Sequence, residues 1–366
     1  MNSPTDDRQR VTEADVLRAL RGVKDPDLHR DLVSLNFIDN LKIDGSVVSF
    51  DINLTTPACP VKEKLRDEAR RAVMALAGVS EVHINMKAEV RQHAGLDKSA
   101  LASVRNIVAV GSGKGGVGKS TVATNLAVGL ARTGARVGLL DADIYGPSIP
   151  IMLGVHEQAE LRDNRIIPVE KYGVRFVSMG LFVPSEKPLI WRGPMAHKAL
   201  SQCLFQVDWG ELDYLIVDLP PGTGDVHLTL VQSVPVTGGV IVSTPQDVGW
   251  KISMKTLRMF QQTNVAILGI IENMSYHICS HCGAREDIFG SGGAAKASEE
   301  LGIPFLGEIP IDIGIRIRAD EGTPIIIADP DSPSAKAYQQ ILGNLAAQIS
   351  IQNYQRPPLH IEEVPA

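Results

Sequence analysis

Cysteine is scarce, with four residues in a chain of 366. That is too few for a disulfide scaffold, and paired cysteines in such a chain more often bind metal or do chemistry. Aromatic residues make up only 5% of the chain, which leaves little material for stacking on nucleobases. There is no excess of positive charge: 36 Lys and Arg face 42 Asp and Glu, a formal net charge of −6. Nucleic acid is therefore not an expected partner. Long apolar runs are missing too. Val265–Ile271 and Ile325–Ala328 fall far below the ~18 residues of a spanning helix, so no membrane is expected. The first eleven residues are polar, without the apolar core of a secretory signal, so the expected location is cytoplasmic. What is present, 44% apolar and 21% charged residues, is ordinary globular composition, and the length suggests two domains.

Residues 1–92 read as a small α+β domain. Thr12 and Asp15 form a capping box ahead of an apolar face, Asp44-Gly45 marks a hairpin between two strands, and Val61–Leu76 is a charged amphipathic helix before a last strand. Residues 93–103 read as a linker. Over 104–350 the apolar runs Ile107–Val110, Val137–Leu140, Leu215–Val217, Val240–Val242, Ala266–Ile271 and Ile303–Leu306 alternate with helical stretches. That pattern predicts an α/β, doubly wound, mostly parallel sheet. Ser334–Ser350 is predicted to be a closing helix, and the Pro-rich 351–366 a flexible tail.

The strongest motif is Gly111-Ser-Gly-Lys-Gly-Gly-Val-Gly-Lys-Ser-Thr121. Gly113, Gly118, Lys119 and Ser120 satisfy G-x-x-x-x-G-K-S/T between a predicted strand and helix. Glycines at this spacing let backbone N–H groups turn inward around phosphates, and the helix N-terminus adds its dipole. Gly115, Gly116, Val117 and Thr121 complete the cradle. Lys119 is placed for the β- and γ-phosphates, and Ser120 for a Mg²⁺ shell. Asp141, Asp143 and Asp218 fall at the carboxyl ends of predicted strands, where open α/β sheets bind ligand. Asp218, after an apolar run, has the Walker B position for Mg²⁺. A single strand-end aspartate could instead cap a helix.

The loop KGGVGKST resembles the deviant Walker A of the MinD/ParA/nitrogenase-iron-protein class, with Lys114 at the signature lysine. The resemblance implies that Lys114 reaches the ATP of a partner subunit, and hence a nucleotide-dependent homodimer. It implies that Asp143 orients the attacking water with Asp141 nearby in the metal shell, and that Asn273 contacts adenine. Gly307–Asp312, which contains Pro310, resembles the second base-side loop of that class. A solvated loop lysine and a turn asparagine are the plain alternatives for Lys114 and Asn273.

Cys279 and Cys282 form a CxxC. One such pair is half a metal site, since zinc and iron–sulfur sites want four protein ligands. Three readings stand open: a redox dithiol, a zinc knuckle recruiting His277 and His281, and a 4Fe-4S cluster shared by two CxxC pairs across the two-fold axis of the implied dimer. Cys203, in an apolar helical stretch, reads as packing. Cys59 lies between Pro57 and Pro60 just before a helix. It reads either as structural or as a transient cluster ligand whose pKa the helix N-terminus lowers.

Together, KGGVGKST, DADIYGPS (Asp141–Ser148), WRGPM (Trp191–Met195), DLPPGTGD (Asp218–Asp225), ENMS and CxxCG followed by IFG (Ile288–Gly290) resemble the Mrp family, also called ApbC. The resemblance runs from Val104 to Leu345. It implies an ATPase that carries an iron–sulfur cluster and delivers it to apo iron–sulfur proteins. DPDL (Asp25–Leu28) and LTTPACP (Leu54–Pro60) resemble the small domain associated with metal–sulfur cluster biosynthesis. Two rival readings are a zinc-stabilised regulatory ATPase and a ParA/MinD-like positioning ATPase. The second would need a basic surface, whereas Ser334–Ser350 holds only Lys336 as a basic residue.

Overall fold

In the computed structural model, Thr12 accepts the Asp15 N–H and the Asp15 carboxylate accepts the Thr12 N–H, which closes the predicted box at the start of helix Glu13–Leu20. The structure describes residues 11–93, 101–144, 146–182, 193–222, 227, 230–231, 233–279 and 281–355. The chain divides into two units, Met1–Val90 and Arg91–Ala366.

The first unit is a three-stranded sheet, β1 (Ile38–Asp44), β2 (Val47–Leu54) and β3 (Glu81–Ala88), in the order β1-β2-β3. Gly45, at φ 59°, makes the β1–β2 turn, and helix Lys62–Met74 connects β2 to its parallel neighbour β3. Val16, Leu20, Phe50, Ile52, Leu65 and Val73 form its core.

The second unit is built on eight strands in the order β15-β12-β11-β4-β10-β5-β9-β8. These are β4 (Ile107–Ser112), β5 (Val137–Asp141), β8 (Val169–Lys171), β9 (Val174–Ser178), β10 (Tyr214–Asp218), β11 (Gly238–Ser243), β12 (Ile267–Glu272) and β15 (Phe305–Glu308). Two small hairpins, β6 (Glu160–Arg162) with β7 (Arg165–Ile167) and β13 (His277–Ile278) with β14 (Arg285–Glu286), stand outside this sheet. All pairs in the sheet are parallel except β8–β9. Every residue of β4, β5, β10 and β11 is buried, as expected of Val/Ile-rich strands covered on both faces. Helix Lys119–Arg132 packs on β5 and β10 beside helix Pro333–Gln355, which packs on β12 and β15. A Cβ on Gly129 would lie 2.2 Å from Leu342 Cδ1, so a larger residue there would have to displace the Leu342 side chain.

Two predicted boundaries shift. The second unit begins at Arg91, and the described residues of the expected linker 93–103 belong to it. His93 and Leu101 are 5% and 2% exposed, and the His93 N–H donates to the Arg105 carbonyl. Residues 94–100 lie outside the described residues. The last helix begins at Pro333 and runs to Gln355, five residues into the expected tail. Proline is tolerated in the first turn. At the other end, buried Asn353 donates to the carbonyl of Arg91 and to Asn106 Oδ1, and Arg91 stacks 4.0 Å from the Tyr354 ring. Residues 356–366, and also Tyr145, Trp191, Arg192 and Asp225, lie outside the described residues. Among those described, no helix is long and apolar enough to cross a membrane.

Candidate nucleotide site and cysteine hairpin

β4 delivers the chain to the loop 113–118, and Gly118, at φ 78°, caps the following helix. A Cβ there would fall 2.3 Å from Asn273 Nδ2. Glycine is therefore required twice over, by the left-handed backbone and by the close approach. Asn273, at the end of β12, donates through Nδ2 to the Val117 carbonyl at 2.8 Å. The residue expected at the base is thus also a strut under the phosphate loop. On the other side, the Gly222 N–H donates to the Ser112 carbonyl, which seats the Asp218–Gly222 segment against the loop.

The acidic ends of β5 and β10 lie side by side. Asp218 and Asp141 are register partners on β10 and β5, 0% and 1% exposed. Lys119 Nζ donates to Asp218 Oδ1 at 2.6 Å, and Ser120 Oγ to Asp218 Oδ2 at 2.5 Å. Asp141 accepts from Ser178 Oγ at 2.9 Å and from the N–H groups of Asp143 and Ile149. Burial, and then the Asp218 charge, push the Asp141 carboxyl up to about 7. Asp143 is half-buried on the loop beyond β5. Lys114 is half-buried. Pro310 is buried and follows Ile309, whose N–H donates to the Glu272 carbonyl, so this loop runs beside Asn273.

The cysteine pair sits on the β13–β14 hairpin. Cys279 and Ala284 close it by an N–H to carbonyl bond of 2.9 Å, and Gly283 donates back to Cys279. Cys279 is half-buried and Cys282 exposed. The N–H groups of Cys282 and His281 aim at the Cys279 sulfur and hold its thiol below the ordinary range. His277 Nδ1 lies 3.2 Å from the Ile311 carbonyl. Among the described residues, no three His, Cys, Asp or Glu group as a metal site.

Cys59 corrects an expectation. Its thiol is pushed up to about 11, chiefly by burial, with Asp25 and Asp27 adding to the shift. Desolvation and the two carboxylates outweigh the helix end. Cys203 packs in the core at 2% exposure. Iodoacetamide at pH 8 is therefore expected to modify Cys279 at least about tenfold faster than Cys59 or Cys203, in proportion to thiolate, as read by peptide mass spectrometry.

Sequence reasoning missed Ser178, which orients Asp141, and the group Glu272, Ser275, Glu308 and Arg285 beneath the hairpin. Ser275 Oγ donates to Glu272 Oε1 at 2.6 Å and lies 3.1 Å from Glu308 Oε2. Glu272 Oε2 accepts the Ala294 N–H. The polar residues closing β12 were a usable signal, but their partners lie tens of residues away.

A glycine-rich phosphate loop with a second lysine, on a parallel sheet whose acidic strand ends meet it, defines a P-loop NTPase of the MinD/ParA type. The MinD cell-division ATPase of Pyrococcus furiosus shares this fold, with a TM-score of 0.51 at 22% identity over 66% of this chain and 98% of that one. A nucleotide-binding protein of Archaeoglobus fulgidus, solved in complex with ADP, gives a TM-score of 0.57 at 39% identity over 65% of this chain and 93% of that one. Residues 103–346 match the family model described as ParA, NUBPL iron-transfer P-loop NTPase. Residues 13–84 match that of an iron–sulfur cluster assembly protein. The iron–sulfur cluster carrier protein of Synechocystis is 50% identical over 348 residues, 93% of this chain and 99% of that protein. The iron–sulfur cluster transfer protein NUBPL of Dictyostelium discoideum is 49% identical over 259 residues, 70% of this chain and 80% of that protein. The chain belongs to the NUBPL iron-transfer P-loop NTPase family.

Proposed function

We propose that the chain binds and hydrolyses ATP with Mg²⁺ at the loop Gly113–Thr121, and carries a 4Fe-4S cluster between the Cys279 and Cys282 pairs of two copies for delivery to apo iron–sulfur proteins. The cysteine hairpin carries the reading. It presents two accessible thiols with no third ligand grouped beside them among the described residues. A 4Fe-4S cluster takes four thiolates, and two copies supply four. The same observation weighs against a zinc knuckle closed within one chain, since neither His277 nor His281 groups with the two cysteines as a ligand set among the described residues.

The residues at the loop fit a nucleotide. A phosphate draws Lys119 away from Asp218, and this frees Ser120 and Asp218 as oxygen donors for Mg²⁺, with Asp141 one strand over. Asn273 keeps Nδ2 on Val117 and has Oδ1 to accept from an adenine amino group, with Pro310 beside it. Asp143 orients the water that attacks the γ-phosphate. Lys114 extends to the nucleotide of the second copy, which closes the homodimer around both sites. The test is anaerobic reconstitution with iron and sulfide. About four irons and four sulfides per two chains are expected, with the visible absorption of the cluster. Stoichiometric zinc that resists exchange, with no cluster, would overturn the carrier reading.

A further inference from the structure

The two strands of the cysteine hairpin are held in different ways. The Cys279 side is fixed by backbone: the Ile311 N–H donates to the Tyr276 carbonyl at 2.6 Å, and His277 bridges Ile311. The Cys282 side has no such bond to the sheet among the described residues. Among the described residues its polar tie to the sheet is Arg285, three residues past Cys282. Arg285 Nη2 donates to Glu308 Oε2 at 2.9 Å, and its guanidinium lies 4.0 Å from the Tyr276 ring. A third contact, to Asp287 at 3.1 Å, stays within the hairpin.

We infer that Arg285 is a positioning residue for the cysteine pair: by bridging β14 to Glu308 on β15 and to Tyr276 ahead of β13, it fixes Cys282 relative to Cys279. This rests on the cluster-carrier reading for its purpose, not for its geometry. The guanidinium is suited to both contacts, since its plane stacks on the ring while its edge donates to the carboxylate. The Arg285 and Glu308 side chains are 45% and 31% exposed, so the pair contributes little to global stability. What it controls is local. Glu308 also lies within reach of Ser275, two residues beyond Asn273 under the phosphate loop. The tie therefore ends on the strand ends that support the nucleotide site.

The test compares Arg285→Gln, Glu308→Gln and Arg285→Lys with the parent as full chains. In the absence of any cluster, amide hydrogen exchange over 281–286 is expected to quicken in both Gln variants and to return most of the way in Arg285→Lys, which keeps the cation over Tyr276. After loading, removal of iron by a chelator is expected to run about tenfold faster in the Gln variants, the scale of losing an outer-shell partner of a metal ligand. ADP affinity equal to the parent's shows that the fold is intact. Exchange and chelator rates within twofold of the parent in both Gln variants overturn the positioning role. A parent protein that takes up no cluster overturns the carrier reading instead, and the exchange result on cluster-free protein still decides Arg285.

Discussion

Lys119→Ala is expected to lower ATP turnover at least about a hundredfold, the scale of deleting one charged donor from a preorganised site. The substitution removes the cation meant for the β- and γ-phosphates. It also leaves Asp218, 0% exposed, without its 2.6 Å partner. Breaking a buried pair by removing one member costs about 3–5 kcal/mol, less whatever Asp218 recovers by taking up a proton. Lowered melting of about 5–10 °C should accompany the lost turnover. The double variant Lys119→Ala/Asp218→Asn separates the two effects: melting recovers while turnover stays lost. Phosphate-release kinetics and thermal unfolding read them independently. Turnover near the parent rate in Lys119→Ala would remove the loop as the site of chemistry.

Cys279→Ser and Cys282→Ser are each expected to abolish cluster loading, from about four irons per two chains to background. One substitution per chain removes two of the four thiolates that two copies offer, because each acts twice. A hydroxyl is a poor replacement for thiolate toward iron–sulfur clusters. Both positions lie at the tip of a hairpin and neither belongs to a hydrophobic core, so ADP binding should be unchanged. Iron and sulfide content after anaerobic reconstitution, with ADP binding alongside, checks this. Undiminished loading in either variant would exclude that cysteine as a ligand.

The nucleotide side was legible because its chemistry is written in contiguous residues. Gly118, Lys119 and Ser120 must be neighbours for a loop to enter a helix around phosphate, and Asp218 must end a buried strand. The α/β pattern was readable for the same reason, since each buried strand is a single apolar run. The short strand Val174–Ser178 was not. Its five residues follow a turn at Gly173, and it belongs to the sheet through pairing with β5, 37 residues earlier in register. Of the two readings open for Cys59, the lowered thiol rested on the helix that follows it, a local feature, whereas its burial and the carboxylates of Asp25 and Asp27 depend on tertiary folding. Arg285 looked like any surface arginine, because both of its long-range partners are defined by packing.

The pairing of Lys119 with Asp218 makes the carboxylate an internal competitor for the lysine. Any incoming anion has to win the ammonium from a partner at effectively very high local concentration. The apparent affinity for a phosphate is then the intrinsic affinity scaled by the fraction of molecules with Lys119 released. Inorganic phosphate and sulfate, which offer few other contacts, are penalised most. A nucleotide recovers the difference through its additional phosphates and its base. The Lys119–Asp218 pair thus sets a threshold that a ligand with several contacts passes more readily than a small anion.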